Sequence, residues 1–392
     1  MLELRLDEAR TLPRDGYAGA LAGRVWRPEL GGPSVIAARA EGVFDITVDY
    51  PTIRDLCETA EPAEALEAAK GKRFASLAEI LDNTPPERRD PSKPWLLAPI
   101  DLQAIKAAGV TFATSMLERV IEERARGDMR AAASIRADMV RLIGDDLARL
   151  KPGSPAAMRL KEALIAEGAW SQYLEVGIGP DAEIFTKSQP MAAVGHGADA
   201  GFHHASAWNN PEPEVVLAVS SSGAIVGATL GNDVNLRDVE GRSALLLGKA
   251  KDQNASCAIG PLLRLFDPTF SLDDVRALHV GLTVEGEDGF KLEGGSSISK
   301  ISRDPADLVA QMIGESHQYP DGAALFLGTM FAPIADRDAP GKGFTHKVGD
   351  VVSVAADKLG QLTNRMRHSR DCPPWIFGAS HLMRYLARRD LI

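Results

Sequence analysis

Pro211-Glu212-Pro213-Glu214-Val215-Val216-Leu217 is the stretch on which the reading of this 392-residue chain turns. Two acids stand two residues apart at the mouth of an apolar run. Residues 214–220 and 224–230 read as two strands around a Ser221-Ser222-Gly223 turn. Period 2 along a strand points Glu212 and Glu214 to one face. Two acids on one face repel unless something positive lies between them. A third acid follows the second strand in Asn232-Asp233-Val234, and a hairpin returns it towards the start of the first. The three carboxylates can then converge on a hard divalent cation, which takes oxygen ligands and keeps positions open for substrate. The competing reading is an exposed strand edge with solvated acids.

Working outward, the texture from about residue 170 onward is short β segments with frequent Gly. Leu278, Val280, Leu282 and Val284 alternate before an Glu287-Asp288-Gly289 turn, and residues 351–355 read as another strand. Asp304 as cap and Pro305 in the first turn open a helix carrying Leu308, Met312 and Ile313. A closing helix is expected over 375–388. Upstream, helical spacing covers 114–126 (Leu117, Val120, Ile121), 131–150 and 155–167, the last with Ser154 as cap and Pro155 at its start. Short strands at 35–39 and 42–48 and a Pro- and charge-rich loop at 82–94 fill the first hundred residues. The expectation is an α+β protein: a mixed, partly helical N-terminal part over 1–170, with lid helices, and a β-rich catalytic domain over 171–392.

Composition narrows the function. The chain is 45% hydrophobic and 25% charged, the mix of a globular protein. Its net charge of −10 argues against a nucleic-acid partner, because phosphate binding draws on clustered Lys and Arg. No apolar run approaches the ~20 residues that span a bilayer, and Met1-Leu2-Glu3-Leu4-Arg5 lacks the apolar stretch of a secretory signal. Three cysteines, Cys57, Cys257 and Cys372, give no disulfide framework and no CxxC site. A cytoplasmic protein without membrane partners is expected. Neither a phosphate-binding glycine loop nor a Gly-x-Ser-x-Gly elbow is present.

Taken with their neighbours, the acids resemble a known pattern. The fumarylacetoacetate hydrolase superfamily carries an E-x-E pair, an Asp in N-D-V and a Lys before a G-P dipeptide. Here stand Glu212-Pro213-Glu214, Asn232-Asp233-Val234 and Lys251 ahead of Gly260-Pro261, with 19 residues from Glu214 to Asp233 and 18 from Asp233 to Lys251. Ala182-Glu183-Ile184-Phe185-Thr186-Lys187 resembles the family's P-E-x-F-x-K strand, and Gly294-Gly295-Ser296-Ser297-Ile298-Ser299 its E-G-x-T-S-T-S segment. Leu327-Gly328-Thr329 resembles its T-G-T loop, and Gly349-Asp350-Val351-Val352 with Leu362-Thr363-Asn364-Arg365 its G-D-V-V and L-x-N segments. The resemblance runs from about residue 109 to 365. It implies a mixed β-sandwich roll that binds Mg²⁺ (or Mn²⁺ or Ca²⁺) through Glu212, Glu214 and Asp233, in a homodimer or homotetramer.

One departure matters. The family's C–C hydrolases have a G-x-N-Y-x-D-H-x-x-E stretch whose His and Glu activate water. In Gly109-Val110-Thr111-Phe112-Ala113-Thr114-Ser115-Met116-Leu117-Glu118, Ser115 stands at the His position while Glu118 remains. Water then lacks its expected base. A branch of the family that dehydrates 2-keto-3-deoxy sugar acids is similar here. The resemblance therefore implies Mg²⁺-dependent dehydration of a 2-keto-3-deoxypentonate to 2,5-dioxopentanoate. Acylpyruvate C–C hydrolysis and a non-catalytic metal-binding role are the alternatives.

On that reading Lys251 or Glu183 takes the C3 proton, and Lys251 has a reason to lose its own beside a dication. Glu118 or Glu183 assists departure of the C4 hydroxyl, Ser115 lies in the lid, and Thr329, Ser296, Ser297 and Lys187 bind substrate. Solvated Lys and loop-capping Ser or Thr are the ordinary readings of these residues. His196, His203 and His204 look like a metal cluster, yet the family's metal takes oxygen ligands and adjacent histidines point to opposite strand faces.

Overall fold

In the computed structural model, residues 214–231 form the hairpin around which the fold is built. The structure describes residues 2–392 apart from 127, 129, 130, 132–134, 136–149, 167, 169, 332, 334 and 340–342, together with the side chains of 114 and 115. Most of the helix expected over 131–150 lies outside the described residues.

Strands β1 (Leu21–Arg27), β2 (Gly32–Arg39), β3 (Gly42–Asp45), β4 (Lys72–Ala75), β5 (Trp95–Leu97), β6 (Ala104–Gly109) and β7 (Glu183–Ser188) come first. Then follow β8 (Asp199–Phe202), β9 (Asn209–Asn210), β10 (Pro213–Val219), β11 (Ile225–Asp233), β12 (Asn235–Leu236) and β13 (Cys257–Leu265). The last are β14 (His279–Glu285), β15 (Lys291–Ser297), β16 (Ala323–Phe326), β17 (Val351–Ala356) and β18 (Gly360–His368). Strands β10 and β11 are the expected hairpin, with Pro213 opposite Asn232 and Glu214 opposite Gly231. Its turn uses Gly223 at φ 85°, a conformation that a side chain disfavours.

An eleven-stranded sheet runs β4-β3-β2-β1-β13-β11-β10-β16-β6-β7, with β5 on β1. A five-stranded sheet runs β15-β14-β17-β18-β8. Their facing side chains form one buried cluster: Val215, Leu217 and Leu230 from the large sheet, Val280, Leu282, Val284, Val352 and Val354 from the small one. Each such side chain contributes roughly 1.5–3 kcal/mol on burial. The alternation read at 278–284 is this inner face. The opposite face of β10 holds Glu214 and Val216, and Val216 packs with Ile259 and Phe326.

The large sheet crosses the boundary expected at residue 170. Strand β1 pairs antiparallel with β13, placing Leu21 opposite Arg264 and Ala22 opposite Leu263. The reason is burial: Ala22 and Val25 are wholly enclosed, so β1 needs cover on both faces. The closing helix is Ala379–Ala387, later than the expected start at 375, because Pro373-Pro374 and Gly378 precede it in extended or bent backbone. The helix Ala113–Arg124 lies over the open end of the hairpin. Its Met116, Val120 and Ile121 pack with Tyr173, Leu174, Ile178 and Trp208. Among the described residues, no helix is long and apolar enough to cross a membrane.

Candidate active site

Backbone pairing brings the three acids together. Glu212 sits just before β10, Glu214 within it, and Asp233 at the end of β11. The Asp233 amide donates to the Glu212 carbonyl at 3.0 Å, and the Glu212 amide donates to Asn232 Oδ1 at 3.0 Å. All three carboxylates are buried, with one ligand oxygen of each within 4.8 Å of the others. Glu214 Oε2 also accepts the Gly328 amide at 2.7 Å.

Lys251, at the end of a short helix, donates to Glu212 Oε2 at 2.5 Å and to Asp233 Oδ2 at 2.9 Å. Lys187, expected to bind substrate, stands behind the triad. It is fully buried behind Asp233, 2.8 Å from Oδ1, and donates to the Val234 and Lys251 carbonyls. It is absent from the cavity lining, and its contact with Asp233 holds that carboxylate from behind.

The cavity between these groups is about 20 Å³, lined by Gly109, Arg119, Glu183, Glu212, Glu214, Asp233, Glu240, Lys251 and Thr329 among others. That is room for an ion or a single water. Glu183 enters from the edge strand β7 across Gly109, where a Cβ would stand 1.8 Å from Glu183 Oε2. A side chain at 109 would therefore displace this carboxylate. Burial, aided by the charge on Glu240, pushes Glu183 up to about 7. Burial also opposes ionisation of Glu212, but Lys251 and Arg119 outweigh it and hold Glu212 down at about 2. Glu214 is pushed well above the ordinary range by burial and then by Asp233 and Glu212. For Lys251, burial disfavours the ammonium, yet Asp233, Glu212 and Glu240 prevail and raise its pKa. Without a cation, the acidic neighbours of Lys251 hold it charged; the expected loss of its proton is a property of the site with a dication beside it.

Other expected residues lie elsewhere. Ser296 and Ser297 are on β15, outside the cavity lining, and Ser297 Oγ caps the following turn by accepting the Ser299 amide at 3.2 Å. Glu118 is buried and accepts from Arg237 Nη2 at 3.1 Å, away from the lining. Ser115 falls in the first turn of the helix 113–124, but its side chain lies outside the described residues. His196 is buried between Thr11 and Thr363, and His203 stacks on His204 with ring centroids 4.5 Å apart. None of the three histidines lines the cavity.

Four buried charges escape the sequence reading. Arg119 Nη1 lies 2.7 Å from Glu122 and 2.9 Å from Glu240, and its Nη2 bonds Glu212. Arg237 reaches Glu122 at 2.6 Å and stacks over Trp208. The only signal was the spacing Glu118, Arg119, Glu122 on one helix face, which ordinarily marks solvated pairs.

The site suits a hard cation. Five carboxylates line it, against Arg119 and Lys251 in its wall and Lys187 behind. Burial and the neighbouring acids push Glu214 towards its neutral form, a dication would favour its ionisation, and the triad offers only oxygen ligands. The buried Thr329 Oγ1 has no hydrogen-bond partner among the described residues, a costly state that a ligand oxygen would relieve.

Residues 206–367 match the family described as fumarylacetoacetate (FAA) hydrolase C-terminal. The chain carries a domain of the fumarylacetoacetate hydrolase family. That domain spans the triad, Lys251 and Thr329, whereas Glu183 and Arg119 precede it. A 2-dehydro-3-deoxy-D-arabinonate dehydratase of Saccharolobus solfataricus is 30% identical over 188 residues, 48% of this chain and 59% of the relative. The chain thus matches less than two thirds of that relative's length. A probable 2-keto-3-deoxyxylonate dehydratase of Haloferax volcanii is 25% identical over 331 residues, 84% of this chain and 93% of the relative. Among solved structures, the apo form of a 2-keto-3-deoxy-D-arabinonate dehydratase aligns with a TM-score of 0.60 at 20% identity, over 89% of this chain and 99% of that one. A 2-keto-3-deoxy-D-arabinonate dehydratase complexed with magnesium and 2,5-dioxopentanoate aligns at 0.58, with the same identity and coverage. The fold is that of the fumarylacetoacetate hydrolase family, α+β with two packed sheets.

Proposed function

We propose that this chain is a hydro-lyase that dehydrates a 2-keto-3-deoxypentonate to 2,5-dioxopentanoate, using Mg²⁺ held by Glu212, Glu214 and Asp233. The observation that carries this reading is the pair facing across the cavity: Lys251, fixed as an ammonium on two of the acids, and Glu183, a carboxyl held near neutrality. The names of both dehydratase relatives point the same way.

A bound dication supplies Lewis acidity towards the carboxylate and 2-oxo oxygen of such a substrate. Glu183, at about 7, suits proton transfer near neutral pH and accepts the C3 proton. Lys251 keeps its proton and donates a hydrogen bond to the oxygen that gains negative charge. Having taken the C3 proton, Glu183 is an acid and returns it to the departing C4 hydroxyl, which leaves as water. The unsaturated 2-oxo acid then isomerises to the aldehyde. Thr329 offers its unpaired hydroxyl to a substrate oxygen.

The test is to incubate the protein and Mg²⁺ with synthetic 2-keto-3-deoxy-D-pentonate and follow aldehyde with a coupled aldehyde dehydrogenase. Aldehyde formation that stops on chelation supports the reading. Carbon–carbon cleavage products, or no consumption of the acid, refute it.

A further inference from the structure

The cavity holds an ion or one water, whereas a 2-oxo acid needs far more space. Arg119 forms part of its wall. The guanidinium comes from the helix Ala113–Arg124, which joins the site through ion pairs instead of a strand ladder. Two of its contacts, to Glu122 and Glu240, are with acids outside the triad. The third is with Glu212, a triad acid that Lys251 also neutralises. A dication on Glu212 would take the charge that holds Nη2 and repel the guanidinium beside it. Glu122 and Glu240 would still tether Arg119 at the cavity wall, with one edge of its planar fork released towards the cavity. A fork in that position suits a carboxylate.

We propose that Arg119 is an exchangeable counter-charge: it occupies Glu212 when no cation is bound, and turns to the carboxylate of a 2-oxo acid once a divalent cation takes Glu212. The helix 113–124 is then released by the cation and drawn back by the anionic ligand, so the site closes tightly only when both are present. This inference rests on the proposed function in needing a dication on the triad and a 2-oxo acid as ligand.

Calorimetric titration of the whole chain tests it. MgCl₂ is titrated alone, then 2-oxobutanoate at saturating Mg²⁺, into wild type, Arg119→Gln and Arg119→Lys. In Arg119→Gln, Mg²⁺ is expected to bind about tenfold tighter, because a competing cation beside Glu212 is gone. 2-Oxobutanoate is expected to bind about tenfold weaker. Arg119→Lys should keep Mg²⁺ affinity near wild type and lose part of the 2-oxobutanoate affinity, since an ammonium lacks the fork. Hydrogen exchange on wild type needs no variant: protection of the 113–124 amides should fall with Mg²⁺ alone and rise with Mg²⁺ plus 2-oxobutanoate. A purely structural Arg119 would weaken Mg²⁺ binding on removal, and that result overturns the proposal. Unchanged affinities in both variants, with wild type binding both ligands, overturn it while leaving the proposed function standing. A wild type that takes up no Mg²⁺ overturns both.

Discussion

Glu212, Glu214 and Asp233 sit on one hairpin whose register is fixed by paired backbone, with Glu214 opposite Gly231. Arg119 reaches one of these acids, Glu212, from a helix 93 residues before it, held there by ion pairs to Glu122 and Glu240 as well. The hairpin is buried along its length, and its ladder cannot slip by one residue without turning the apolar set out of the core. The helix pays no such penalty: moving Arg119 exchanges one ionic partner for another. On the proposed reading, fixed ligands on a ladder and a movable counter-charge on a helix would let the site bind a cation in one place and open for its substrate.

The hardest blow to the ladder side is Glu214→Gln. The variant keeps the oxygen that accepts the Gly328 amide but removes one of three clustered carboxyl groups. Turnover should fall to background and the Mg²⁺-dependent rise in Tm should vanish. The metal-free variant should melt above metal-free wild type at neutral pH, because the fold raises the pKa of Glu214 and makes it take up a proton on folding, which glutamine need not do. A normal Mg²⁺ response in differential scanning fluorimetry would show that the triad is not the metal site.

The ladder was also the legible part. Two acids at period 2, a turn and a third acid after the return strand are local facts, and the pairing needed to join them follows from strand geometry. Glu183 and Lys251 were found through family resemblance, and the structure brings both to the cavity. Arg119 and Glu240 were not found, because a helix face of Glu and Arg looks solvated until tertiary packing buries it. The burial of Lys187 behind Asp233 was hidden for the related reason that a strand residue's inward or outward direction depends on what covers the strand. The sheet running through the expected boundary at 170 was hidden as well, since pairing of β1 with β13 joins residues more than two hundred apart.

Next in size is Lys251→Ala. Its ammonium binds both Glu212 and Asp233, so its loss removes the charge stabiliser on the substrate side of the hairpin. Turnover should drop roughly 10²–10⁴-fold, the range typical of acid–base groups. Because neighbouring acids hold Lys251 protonated, it is a poor imine-forming amine, and borohydride with substrate should trap no adduct. A substrate-dependent mass increase on Lys251 would break this assignment. Smaller in consequence is reaction choice: acylpyruvates should give no cleavage at enzyme concentrations that dehydrate the keto-deoxy acid, because Ser115 supplies no imidazole base. Pyruvate release at a comparable rate would reverse the order.

The smallest effect concerns a third way of joining distant segments, one buried imidazole. His196 Nδ1 accepts the Thr363 amide at 2.9 Å, so its proton is on Nε2, which meets Thr11 Oγ1 at 3.1 Å. The ring thereby ties the first turn of the chain to β18. A second proton would have to go on Nδ1, where the Thr363 amide already points. Burial, with slight opposition from Asp7, pushes His196 down to about 3 from its ordinary 6.5. A histidine depressed in the fold is bound to fewer protons there than in the unfolded chain. Its contribution to stability is therefore complete above about pH 6.5 and is lost progressively as pH falls towards 3. Urea midpoints measured at pH 7.5 and pH 5.0 should fall for wild type. In His196→Asn, which can accept from Thr363 but does not titrate, the midpoint at pH 7.5 should be lower and the drop between the two pH values smaller. Turnover at neutral pH should be unchanged, because the ring lies outside the cavity lining. If the variant shows the same pH slope as wild type, His196 is not what couples this tie to protons, and the neighbouring acids must be.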